Sequence, residues 1–194
     1  ARDDCVEVAG QLTAIAGALA KVAHDLRWLG SGPRAGLGEL RVPATQPGSS
    51  IMPGKVNPVM SEMLVQACLY AQGLAQVVVA AGREGHFELN ATLPLQAHCL
   101  LESIQVLANA TRIFAERCVA GLEANEARCR ELVDRSLMLV TALNPYIGYD
   151  QAAAVAKEAF ASGRTLREVV LERKLLDAAT LDQVLDPRRM TKPG

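Results

Sequence analysis

Aromatic residues are scarce, with one Trp, three Tyr and three Phe in 194 residues. That leaves no platform for stacking bases. The 20 basic and 21 acidic side chains are scattered, so no basic stripe marks a nucleic acid or an anionic membrane as partner. Histidine is limited to His24, His86 and His98. No His/Cys/Asp cluster has metal-ligand spacing, and no glycine-rich phosphate or dinucleotide fingerprint is present, so neither a metal nor another cofactor is expected. The five cysteines are odd in number and contain no CxxC pair. Four sit inside apolar helical patterns and read as buried, reduced thiols of a cytoplasmic protein. No uninterrupted apolar run approaches the roughly 20 residues of a membrane span, and no signal peptide is seen. An initiating Met and a helix cap are missing from Ala1-Arg2-Asp3-Asp4-Cys5, which reads as the start of a piece from a longer chain.

What is present is helical periodicity. Val8, Leu12, Ile15, Leu19, Val22, Leu26 and Leu29 step by alternating fours and threes, a heptad seam. A second, wider stripe runs through Met60, Met63 or Leu64, Ala67, Tyr70 or Ala71, Leu74, Val77 or Val78 and Ala81. Leu100, Ile104, Leu107, Thr111, Phe114 and Cys118 repeat the seam. Alanines beside these stripes permit close helix approach, so an all-α, long-helix bundle is expected. Helices of ~25 residues are about 38 Å long, which suits a bundle shared between subunits better than one small globule. After residue 121 the elements shorten. Gly121 to Asn125 break the third helix, with Asn125 as N-cap of a helix over 126–138. Asp150 is expected to cap a helix ending at Gly163, and Thr165-Leu166-Arg167-Glu168 is a capping box. Asp177 opens a last helix, stopped by Asp186-Pro187. The expected domains are 1–125, the bundle with a loop over 44–58, and 126–194, a small helical domain.

That loop differs from everything around it. Pro47-Gly48-Ser49-Ser50-Ile51-Met52-Pro53-Gly54-Lys55-Val56-Asn57-Pro58 has five Gly or Pro in twelve positions, which restrict the backbone and permit close approach by a ligand. It ends on Asn57-Pro58, read as an N-cap followed by proline at the first helical position. Free N–H groups and the helix dipole favour an anion there. Lys55 adds positive charge, and Ser49 and Ser50 add hydroxyls suited to a small carboxylate. A lysine beside a helix start is unhelpful unless it meets an anion, and this conflict points to a ligand. A tight connector that merely turns the chain is the alternative from the residues alone.

Gly48 to Pro58 resembles the signature loop of the fumarase/aspartase superfamily. Ser31-Gly32-Pro33-Arg34-Ala35-Gly36-Leu37-Gly38-Glu39-Leu40 before it, and Gly85-His86-Phe87-Glu88-Leu89-Asn90 and Ser136-Leu137-Met138-Leu139-Val140-Thr141-Ala142-Leu143-Asn144-Pro145 after it, keep the family's order. The resemblance implies the later part of a long helical bundle, which forms the family's homotetramer core, plus the small C-terminal domain. It implies a lyase acting on a small dicarboxylate, with Ser49 as the base that removes a proton beside a carboxylate. Lys55 and Asn57 would hold that carboxylate. Ser50 is a second donor or a loop-stabilising hydroxyl. Glu62 matches the acid that pairs, in the family, with a histidine from the earlier part of the chain. The family's site draws on three subunits, so residues 1–194 alone are expected to be inactive.

Within the superfamily, Gly54-Lys55, His86 to Asn90 and Ser136 to Thr141 followed by Ile147-Gly148-Tyr149-Asp150 resemble class II fumarases. Pro58-Val59-Met60-Ser61-Glu62, Leu166 to Arg173 and the ending Met190 to Gly194 lean toward aspartate ammonia-lyases. Water and ammonia both remain open as the leaving group, with fumarate hydration favoured. A non-catalytic helical scaffold would explain the seams but not the loop.

Overall fold

The computed structural model describes residues 1–46, 48 and 51–191. It is all-α apart from one two-stranded ladder, and it divides into two compact units, Ala1–Asn125 and Glu126–Gly194.

The first unit is built on α1 (Asp3–Leu29), α2 (Val59–Gly82) and α3 (Leu93–Arg117). At 1.5 Å per residue each runs for about 36–40 Å. Helix α1 buries Ala9, Ala16 and Ala23, one residue on from the expected seam positions Val8, Ile15 and Val22, which stay exposed. The seam has the right period but is rotated. Close approach to α2 selects the smallest side chains, and the larger β-branched ones are turned outward. In α2 the buried stripe is Ser61, Leu64, Cys68, Ala71, Ala75, Val78 and Ala81, whereas Tyr70 and Val77 are exposed. Helix α3 contributes Cys99, Ser103, Leu107, Ala110 and Phe114, and Ile104 faces out. One core joins Ala16, Ala23, Leu64, Cys68, Ala71, Leu107, Ala110, Phe114 and Cys118. A second joins Ala9, Ala75, Val78 and Cys99. Ala9 thus meets the end of α2, and Ala16 and Ala23 meet its beginning, so the two helices are antiparallel. Thr92 Oγ1 and Gln96 Nε2 both donate to the Ala81 carbonyl and tie the start of α3 to the end of α2.

By length and composition α1 and α2 would both suffice to cross a membrane, which corrects the sequence expectation. Isolated polar residues such as Thr13, Lys21, Gln66 and Gln72 interrupt these otherwise apolar helices, so neither holds an unbroken apolar run of that length. Both lend buried stripes to the core with α3.

The ladder pairs β1 (Leu40–Arg41) with β2 (Glu123–Ala124), antiparallel, with Leu40 opposite Ala124. Two-residue strands are too short for alternation to show in a sequence. Asn125, expected as a helix cap, stands directly before the helix that begins at Glu126; its side-chain amide donates to the Gly38 carbonyl at 3.0 Å, and its backbone N–H bonds the Glu39 carbonyl at 2.8 Å. A Cβ on Gly121 would meet Pro43 Cγ at 2.7 Å. The segment leaving α3 is therefore clipped to the segment entering the loop.

The second unit runs α4 (Glu126–Asp134), a 3-10 turn over Leu137–Leu143, α5 (Asn144–Ile147), α6 (Tyr149–Ser162), α7 (Leu166–Glu172), α8 (Ala178–Val184) and α9 (Pro187–Met190). Its core is Leu143, Ala152, Val155, Ala159, Leu166, Val169, Val170, Leu181 and Val184. The Thr165–Glu168 capping box and the Asp177 cap are formed as expected, and Gly163 ends α6 at φ 69°. Two expectations are corrected. Asp150 lies inside the first turn of α6, because Gly148 at φ 77° takes the cap position. Asp186-Pro187 begins α9 rather than only ending a helix, the Asp186 carboxylate accepting from Arg188 N–H.

Candidate active site

The loop between α1 and α2 is folded tightly from its first residue. Ser31 Oγ donates to the Trp28 carbonyl at 2.6 Å and accepts from Leu37 N–H at 3.1 Å, and Glu39 N–H bonds the Leu29 carbonyl at 2.9 Å. A Cβ at Gly36 would lie 2.5 Å from the Ser31 carbonyl carbon and oxygen, so that turn closes only around glycine. The chain then passes through β1, held by β2.

Further on, Met52 to Lys55 make a turn, with Lys55 N–H on the Met52 carbonyl at 3.2 Å and Gly54 at φ 81°. The backbone of Gly48 presses against that of Lys55 so closely that a Cβ would overlap the Lys55 carbonyl oxygen. Gly48 is thereby the hinge on which the two ends of the 48–55 segment touch. Lys55 is exposed and Asn57 half-buried. Among the described residues no carboxylate pairs with Lys55. Ser49 and Ser50 lie outside the described residues.

Helix α2 begins at Val59, and Pro58, not Asn57, occupies the cap position. No side-chain cap bond forms there; the Asn57 carbonyl accepts from Val59 N–H at 2.9 Å. The expected Asn57 cap is therefore corrected: its backbone closes a tight turn onto the helix. The upstream N–H groups of the first turn are left without an Asx side chain competing for them, which preserves the positive end of the helix. Glu62 stands in this first turn. Its Oε1 lies 3.2 Å from Arg27 Nη2, which reaches across from the last turn of α1. The signal for the pair was an acid at the start of one helix and a base at the end of the preceding one, meaningful once the two are antiparallel.

Ser61, beside Glu62, is buried, and its Oγ has no hydrogen-bond partner among the described residues. His86 and Leu89 face each other across the turn between α2 and α3, each backbone N–H on the other's carbonyl, with Phe87 at φ 53° and fully exposed at the tip. No His/Cys/Asp/Glu group among the described residues is arranged to hold a metal ion. All five cysteines are free, and burial pushes the Cys68 and Cys118 thiols up, away from the reactive thiolate.

The fold and loop have close counterparts. Residues 1–73 match the family model "Lyase", and residues 139–192 match "Fumarase C C-terminus". The class II fumarate hydratase of Thermosynechococcus vestitus is 51% identical over 94% of this chain and 39% of its own length. Fumarate hydratase 1, mitochondrial, of Arabidopsis thaliana is 50% identical over the whole chain and 39% of its own length. The chain belongs to the fumarase/aspartase superfamily. The crystal structure of recombinant class II fumarase from Schistosoma mansoni superposes on this chain with a TM-score of 0.91 at 41% identity, over 99% of it and 40% of that structure. The chain thus spans about two-fifths of the length of the lyases it matches, corresponding to a C-terminal portion of them.

Proposed function

We propose that these residues are the loop-bearing bundle segment and the C-terminal domain of a class II fumarate hydratase, which interconverts fumarate and malate by adding or removing water. The observation that carries this reading is identity of about half to enzymes named fumarate hydratase, sustained along the whole chain.

In the elimination direction Ser49 takes the proton from the carbon beside a carboxylate, and the electron pair left there spreads into that carboxylate. The double bond forms as the hydroxyl leaves from the neighbouring carbon and collects a proton to depart as water. A serine hydroxyl is a weak acid, so its oxygen must be held close to an alkoxide. Loop N–H groups, the positive end of α2 and Lys55 all act in that direction. Lys55 and Asn57 hold the substrate carboxylate as its charge grows, which favours the transition state over the ground state. Ser50 supports the loop or donates a second hydrogen bond, and Glu62 supplies the carboxylate that pairs with a histidine from elsewhere in the assembly. Support comes from the pinch of Gly48 on Lys55 and from the loop running straight into a long helix. A homotetramer belongs to the same proposal, supported by the line of exposed Val8, Ile15 and Val22 along α1, as does a cytoplasmic location.

The deciding experiment gives the full-length enzyme fumarate with and without ammonia and follows loss of fumarate absorbance. Loss without ammonia is expected; loss that requires ammonia would make the enzyme an aspartate ammonia-lyase instead. Ser49→Ala is expected to lower kcat by about a hundredfold or more, a typical cost of removing a positioned proton-transfer group. Undiminished turnover would exclude Ser49 as the base. Residues 1–194 alone are expected to show no turnover.

A further inference from the structure

We propose that Arg27 is a positioning residue that acts through Glu62. It holds the Glu62 carboxylate in place where the candidate loop enters α2, ready for the group with which Glu62 exchanges or shares a proton. The inference rests on the fumarate hydratase reading, which gives Glu62 its role.

Among the described residues Arg27 is the basic side chain that pairs with Glu62. Its Oε1 lies 3.2 Å from Arg27 Nη2, the nearest approach of the pair. The neighbouring Gln66 Nε2 bonds the Glu62 backbone carbonyl at 3.2 Å and leaves the carboxylate alone. Arg27 is thus the charged partner that restrains a carboxylate whose head is otherwise free to rotate.

The pair is poorly suited to a purely structural purpose. Its side chains are 51% and 38% exposed, and exposed ion pairs contribute only ~0–1 kcal/mol. The alignment of α1 and α2 is already set by Ala9, Ala16 and Ala23 buried against α2. Among the described residues Arg27–Glu62 is the ion pair that joins these two helices, and it sits where the candidate loop enters α2. A planar guanidinium fixes the direction of a carboxylate better than a mobile ammonium does. Small displacements of a reacting group are costly, on the order of a hundredfold per ångström in unfavourable cases. The competing explanation is that Arg27 merely complements the C-terminal dipole of α1, and that explanation does not involve Glu62.

A double-mutant cycle on the full-length enzyme separates the two, using steady-state fumarate hydration with wild-type, Arg27→Met, Glu62→Gln and the double variant, plus Arg27→Lys. Arg27→Met is expected to lower kcat about tenfold with KM within about twofold, a misplacement-scale loss. Arg27→Lys should recover part of it, and in the Glu62→Gln background Arg27→Met should cost nothing further. An equal loss in both backgrounds, or full kcat in Arg27→Met, would overturn the role of Arg27 while leaving the enzymatic reading intact. Wild-type rates in Glu62→Gln would instead remove the role of Glu62, and the inference with it. Arg27→Gln stands in for Arg27→Met if the latter does not fold.

Discussion

One methyl group at Gly48 is enough to test the loop. A Cβ there overlaps the Lys55 carbonyl oxygen, and backbone cannot yield as the end of a flexible side chain can. Gly48→Ala is expected to abolish most fumarate turnover in the full-length enzyme while the melting temperature moves by only a few degrees, because the loop contributes little to the buried core. Activity within twofold of wild type would show that the contact is relieved at no cost. Ser61 offers the opposite experiment. Its buried hydroxyl has no partner among the described residues, and an unsatisfied buried polar group costs about 1–3 kcal/mol. Ser61→Ala should therefore leave stability unchanged or raise it, measured by denaturant unfolding. At this scale the sequence was informative about residue types and poor about geometry. The crowding of Gly, Pro, Ser and Lys marked the loop, but the touching of residues 48 and 55 depends on torsions that no composition encodes. Arg27 carried no local signal at all, because its partner lies 35 positions away.

Helices were the most legible elements. Their period, approximate extent and several caps follow from local rules, and Thr165, Glu168 and Asp177 behave as those rules require. The buried face of α1 was not legible. Hydropathy favours Val8, Ile15 and Val22, yet Ala9, Ala16 and Ala23 meet α2, because packing distance rather than hydrophobicity decides which side faces a close neighbour. Ala16→Leu is accordingly expected to destabilise by about 1–3 kcal/mol through overpacking, whereas Ile15→Leu should have almost no effect on the isolated chain. Caps in the second unit also set its response to acid. Glu168 is held below the ordinary carboxylate range by the Thr165 backbone N–H and hydroxyl, Asp177 by the Thr180 side chain and N–H, and Glu131 by Arg128. Groups lowered on folding stabilise above their unfolded pKa, and that stabilisation fades as pH falls through the lower, folded value. Thermal stability should therefore be flat from neutral pH to about pH 5 and decline below about pH 4. Thr165→Ala should make the acid decline shallower, as read by melting across pH 3–7. A decline centred near pH 6 would mean that other groups control it.

For the molecule as a whole, the apolar residues outside the core matter as much as those within it. Val8, Ile15 and Val22 are 44–51% exposed along one line of α1, and Leu69, Tyr70 and Leu101 are exposed on α2 and α3. Such a surface suits helix-to-helix association. Ile15→Lys with Val22→Lys is expected to shift the full-length protein to smaller species in analytical ultracentrifugation, with helical content by circular dichroism retained; an unchanged sedimentation profile would place the subunit contact elsewhere. The clip between Leu40–Arg41 and Glu123–Ala124 has its own consequence. Because the entrance to the loop is sewn to the exit of the third helix, those stretches form one cooperative piece for local opening. Amide deuterium uptake at Glu39, Leu40, Ala124 and Asn125 should rise and fall together. A protease cut near Val119–Gly121 would loosen the candidate loop some seventy residues earlier in the chain.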